Sequence, residues 1–203
     1  ASSVYTTDTG EGSGTENNRL GTTLPRSPGI LRNGHTDDRG NYHITDDDDI
    51  GSGGKVSKFE SNLSAIHLLK KLTDEKRYAT PEEQSILVKY TGWGGLSEVF
   101  KENLDGPWLE RQKSLKSILT PDEYKRAARS TLNAHYSDPN IVDSIWTAVT
   151  RMGYNGGPTL EPATGIGHFF GKRPHNLPIE MHGIELDPVS GRIAQQLYQS
   201  ADI

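Results

Sequence analysis

The sequence predicts an α/β fold: an incomplete, doubly wound parallel sheet at the C-terminal end, preceded by a small helical domain and a disordered N-terminal tail. Three observations lead there. Strand and helix patterns alternate through the last third of the chain, amphipathic helices with clear start signals fill the middle, and the first 56 residues show no sustained apolar period.

Composition agrees with a partly folded chain. Of 203 residues only 32% are hydrophobic, and the mean hydropathy of −0.68 is low for a fully packed globule. The net charge of −5 gives no global basic field for nucleic acid, so any DNA contact has to be local. Cysteine is absent, which excludes disulfides and thiolate metal sites and fits a reducing cytoplasm. No apolar run nears the roughly 20 residues of a membrane span, and no signal-peptide core is present. The chain opens at Ala1 without an initiator Met and stops at Ala201-Asp202-Ile203, where a new strand begins, so it is expected to be a piece of a longer polypeptide.

Residues 1–56 are rich in Gly, Ser, Thr, Asn and Asp and are expected to be a polar tail or linker, with the run Asp46 to Asp49 a solvated segment. From Ser57 the pattern changes, and residues 57–130 form the helical domain. Ser57 and Glu60 are spaced as a capping box, and Phe59, Leu63, Ile66, Leu69 and Leu72 recur at helical spacing. Thr80-Pro81-Glu82-Glu83 and Thr120-Pro121-Asp122-Glu123 repeat the start signal, each with Pro at the first helical position. A helical stretch from Trp108 to Leu119 lies between them.

The alternating part is residues 131–203. A helix over Pro139–Met152, with Ile141, Val142, Ile145, Trp146 and Val149 on one face, leads into a strand near 158–161 and a helix after Gly167. A strand near 179–186 and a helix over Pro188–Tyr198 follow. Two strands and the start of a third are fewer than a sheet needs for independent stability.

Chemistry concentrates at the strand ends. Glu161-Pro162-Ala163-Thr164-Gly165-Ile166-Gly167 is a strand running into an acid and a Gly-x-Gly turn, the arrangement that brings backbone close to a nucleotide-like ligand. A pyrophosphate site wants a third Gly three residues after Gly167 and no carboxylate. Here Phe170 and Glu161 stand in those places, so the site suits a cation better than a phosphate. S-adenosylmethionine meets both conditions: it has no phosphate, carries an ammonium and a sulfonium, and offers ribose hydroxyls to a second carboxylate such as Glu185 in Gly183-Ile184-Glu185-Leu186-Asp187. Upstream, in His135-Tyr136-Ser137-Asp138-Pro139, either Ser137 or Asp138 suits the cap of the next helix. A helix start with Tyr136 on the core explains that segment as well as a ligand contact does.

The run Glu161 to Phe170 resembles the first cofactor motif of adenine-N6 DNA methyltransferases in which the cofactor motifs precede the catalytic one, and His135 to Pro139 resembles the Tyr-Thr-Pro-type motif before it. The likeness extends to Asn41-Tyr42-His43-Ile44-Thr45-Asp46, Ala79 to Gln84, Tyr90-Thr91-Gly92-Trp93-Gly94-Gly95-Leu96 and Ser130 to Tyr136. Together these are similar to the very large methylase-helicase proteins of conjugative elements, plasmids and phages. The resemblance covers roughly residues 41–203. It implies a Rossmann-like methyltransferase sheet, S-adenosylmethionine as cofactor, double-stranded DNA as partner of the intact protein, and a following superfamily 2 helicase. It further implies that Glu161, with Pro162 beside it, faces the methionine amino group, that Gly165 and Gly167 let backbone approach, that Glu185 binds the ribose, and that Tyr136 and Ser137 close the methionine end.

The chain departs from that pattern at Thr164, where many relatives have Ala or Cys, and in Ser137-Asp138-Pro139. The larger departure is that no Pro-Pro-aromatic loop for holding a flipped adenine occurs. These residues are therefore expected to bind cofactor and not to transfer methyl groups, with no catalytic residue among them. The main alternative is a non-catalytic methylase-like module of a mobile element, serving DNA binding or anti-restriction. A nicotinamide enzyme is disfavoured by Phe170 and Glu161.

Three further signals have competing readings. Arg111, Lys113, Lys116, Lys125, Arg126 and Arg129 suit either phosphate contact or a solvated helix face. Trp93 suits either base stacking or a small core. His135 and His168 lie near the expected pocket without the further ligands a metal site needs.

Overall fold

The computed structural model describes residues 31–32, 35–132 and 135–203 and opens with a short antiparallel pair, β1 (Leu31–Arg32) and β2 (Thr36–Asp37). Most of the expected N-terminal tail, residues 1–30, lies outside the described residues, as do Asn133 and Ala134 of the upstream motif.

Helix α1 spans Lys55–Glu75 and buries Phe59, Ile66, Leu69 and Leu72 as the spacing predicts. Its start does not use Ser57. Gly54 is the N-cap and makes no side-chain capping bond, so the helix begins two residues before the expected box. By contrast, α2 (Pro81–Leu87) and α4 (Pro121–Ser130) open as expected: Thr80 and Thr120 accept from the N–H of Glu83 and Glu123, whose carboxylates return to the Thr80 and Thr120 N–H groups. Helix α3 spans Gly106–Ile118. Within this region Trp93 is 3% exposed and packs edge-on to Tyr90 and Phe100. It plugs a core and is not free to stack on a base.

The last third alternates as expected. Helix α5 (Pro139–Arg151) is capped by the Asp138 carboxylate, which accepts from Asn140 N–H at 2.8 Å. It buries Val142 and Trp146, but Ile141 and Ile145, assigned to the same face, are 56% and 40% exposed. The parallel pair is β3 (Gly157–Glu161) with β4 (Ile179–Gly183), linked through the single-turn α6 (His168–Gly171). After α7 (Pro188–Leu197), a parallel bridge from His182 to Asp202 begins a third strand position on the other edge of β4. On one face of the sheet Met181 is buried, and a Cβ on Gly183 would stand 3.0 Å from Phe170; on the other, Leu160 is 60% exposed. The architecture is thus mixed α/β around a small two-stranded parallel sheet.

Residues 35–50, read from composition as tail, are packed. Tyr42 and Ile44 are each 1% exposed, and their N–H groups donate to Leu197 O at 2.7 Å and Gly171 O at 3.0 Å. Of the run Asp46 to Asp49, Asp46, Asp47 and Asp49 are exposed as expected, but Asp48 is buried and accepts from Tyr42 Oη at 2.5 Å and Thr45 N–H at 2.8 Å. Too few apolar residues alternate there to reveal a strand, and the N–H groups of Tyr42 and Ile44 are satisfied by partners more than a hundred residues away. A single buried cluster joins this segment to the helical and α/β regions, because α7 packs on α1 and α2. Among the described residues no helix is long and apolar enough to cross a membrane.

Candidate functional site

The end of β3 and the residues beyond β4 meet at a cavity of about 260 Å³. Hydrogen bonds continue past the strands, from Ile184 N–H to Glu161 O at 3.0 Å and from Thr164 N–H to Ile184 O at 3.1 Å. They set the two carboxylates Glu161 and Glu185 on the same rim. Glu185 accepts from Gly165 N–H at 2.6 Å with one oxygen and from Asp187 N–H at 2.7 Å with the other. Each oxygen retains acceptor capacity.

Glu161 is one of two lining residues with an unsatisfied buried atom. Its Oε2 is buried and has no hydrogen-bond partner, and burial followed by the nearby Glu185 charge pushes its carboxyl up to about 8. A buried carboxyl without a partner is costly, and a cationic ligand would relieve that cost.

Tyr136 lines the same cavity and packs on Gly165. A Cβ on Gly165, whose φ is +58°, would stand 2.3 Å from Tyr136 Cε1, so only glycine admits the ring there. Tyr136 and Ser190 share a hydroxyl hydrogen bond of 2.8 Å, and the Ser190 hydroxyl donates to Asp187 at 2.7 Å. With the Ser190 proton committed to Asp187, Tyr136 donates. Burial raises the Tyr136 phenol well above its ordinary value, which keeps that proton in place.

His168, 5% exposed, faces the same cavity. Its Nδ1 lies 2.8 Å from Ser137 O, and since a carbonyl only accepts, the proton is on Nδ1 and Nε2 is a buried acceptor without a partner. Burial lowers its pKa, so the ring is a neutral acceptor.

Of the sequence-assigned residues, Tyr136, Ser137, Glu161, Gly165 and Glu185 line this one cavity. Pro162 is exposed and is not among the lining residues. Gly167 is not either: its φ is +88°, and a Cβ there would stand 2.3 Å from Tyr198 Cε2, so its smoothness serves packing. Sequence reasoning missed Tyr90, Gly92, Trp93 and Ser190 as lining residues. The separate resemblance of the Tyr90–Leu96 segment, and the base-stacking reading of Trp93, hinted at the first three. In the basic stretch, Arg111 pairs with Glu60, Lys113 with Glu110 and Arg126 with Asp122, as on a solvated face.

These residues fit S-adenosylmethionine in kind: an orphaned buried carboxylate oxygen for an ammonium, a carboxylate with spare lone pairs for ribose hydroxyls, and a glycine turn.

Comparison with known proteins gives a context. The chain is similar to a phage protein. It is 28% identical over 139 residues to the Defense against restriction protein B of Escherichia phage P1. The matched stretch covers 68% of this chain but 5% of that protein. No family model and no solved structure matches the chain.

Proposed function

We propose that this chain is a methylase-like module of a mobile-element protein that counters restriction. The similarity to the phage P1 protein carries this reading, and it agrees with the absence of a Pro-Pro-aromatic loop from the sequence. On this reading double-stranded DNA is the partner of the intact protein. The test is recovery of unmodified DNA in a restricting host, measured with and without the protein and normalised to a non-restricting host. A raised recovery with the protein is expected; the same normalised recovery with and without it overturns the reading.

The second reading is that the pocket binds S-adenosylmethionine, as part of an adenine-N6 DNA methyltransferase in the longer protein. The buried, unpartnered Oε2 of Glu161 beside the Gly165 turn favours it. Glu161 would face the methionine ammonium, Glu185 the ribose hydroxyls, and Tyr136 and Ser137 the methionine end. When bound, the cofactor supplies an electrophilic methyl group. The residues of this chain hold and orient it, and the acceptor site for a base would come from elsewhere. Titration of the folded chain with S-adenosylhomocysteine in a calorimeter tests this. An absence of heat at every temperature tried removes the cofactor from the account and leaves the anti-restriction module standing.

A further inference from the structure

The cavity has a wall from the helical region that neither reading uses. Gly92 and Trp93 of the Thr91–Gly95 turn line it, with Gly92 buried and in the left-handed region at φ +66°. A Cβ on Gly92 would stand 2.5 Å from Tyr136 Cε2, on the edge of the ring opposite the one that meets Gly165. The Tyr136 ring is therefore held between two glycines, one from each region. Asn62 fixes the height of this wall. Fully buried on α1, it donates from Nδ2 to Gly92 O at 2.6 Å and accepts at Oδ1 from Thr91 N–H at 2.8 Å. A buried amide on an otherwise apolar helix face is tolerated only because these bonds are made, and they tie two successive residues of the turn, Thr91 and Gly92.

We infer that the Thr91–Gly95 turn is the second wall of the ligand pocket: Gly92 sets the width of the slot around Tyr136, Asn62 positions the turn, and the helical region closes over a ligand anchored at Glu161 and Glu185. The ligand class is an ammonium-bearing molecule with vicinal hydroxyls, since the pocket offers the unpartnered Oε2 of Glu161 and the spare acceptor capacity of Glu185 beside Tyr136 and His168. The inference rests on the cofactor reading, and S-adenosylhomocysteine is the probe.

Hydrogen exchange of the unaltered chain, with and without saturating S-adenosylhomocysteine, is the first test. Slowing at residues 90–96 together with 161–167 and 185–190 is expected. Slowing confined to 161–190 overturns the second wall and leaves the cofactor reading intact, whereas no slowing and no heat of binding remove both. The second test compares Gly92→Ala with Gly95→Ala, which share the left-handed backbone strain; a Cβ on Gly95 meets nothing within 4 Å. Gly92→Ala is expected to weaken binding at least about tenfold and Gly95→Ala by less than about threefold. Equal affinities in the two variants sink the inference.

Discussion

The Gly165 N–H donates to Glu185 Oε2 at 2.6 Å, tying the turn after β3 to the residue that follows β4. The same carboxylate accepts from Asp187 N–H. Glu185→Ala removes both acceptors, so a loss of about 1–3 kcal/mol is expected in urea unfolding. An unchanged midpoint would show that water replaces the carboxylate without cost.

Glu161 makes stability depend on pH. Its carboxyl is held up to about 8 by burial and by Glu185, against an ordinary value of 4.5. Between those values the folded chain keeps a proton that the unfolded chain has lost, so stability falls as pH rises through that window, by at most about 1.4 kcal/mol per unit, and levels off above it. Glu161→Gln removes this slope. Calorimetric melting at several pH values across the window checks it, with parallel curves for parent and variant the contrary result. A cationic ligand at Glu161 should also release a proton, visible as a binding heat that varies with the ionisation enthalpy of the buffer.

Gly167 lies against the ring of Tyr198, which is 1% exposed. Gly167→Ala adds overpacking to left-handed strain and is expected to cost about 2–4 kcal/mol. Gly51→Ala is the comparison: its φ is +76°, nothing lies within 4 Å, and it should cost about 1 kcal/mol. Similar midpoints for the two in denaturant would remove the packing role given to Gly167.

Gln84 docks the N-terminal segment. It is fully buried, donates to Gly40 O and Gln196 O at 2.8 Å each, and accepts from the Thr36 hydroxyl at 2.8 Å. Gln84→Ala takes this partner from the buried Thr36 hydroxyl and the half-buried Gly40 carbonyl and is expected to cost about 1–3 kcal/mol and expose residues 35–44 to protease. Limited proteolysis reads this directly; cleavage at the parental rate would show that the segment docks without Gln84.

What the sequence showed was local. The Thr80–Glu83 and Thr120–Glu123 boxes are legible because both partners lie three residues apart on one helical turn. The acid, the glycine turn and the second carboxylate are legible because each closes or follows a strand. The start of α1 was misread because Ser57 and Glu60 carry the letters of a box without its geometry.

The sequence by itself determined the order of helices and strands, the mixed α/β class, and the cluster of Glu161, Gly165 and Glu185, all of which follow from periodicity and turn chemistry within short windows. Only the tertiary structure decided that Tyr42 and Ile44 belong to the core, that Gly167 serves Tyr198, and that Tyr136 sits between Gly92 and Gly165. Those outcomes depend on contacts between residues roughly 30 to 155 positions apart. Hydrogen bonds and ring packing over such separations leave no periodic trace in the chain and form only when the elements have docked.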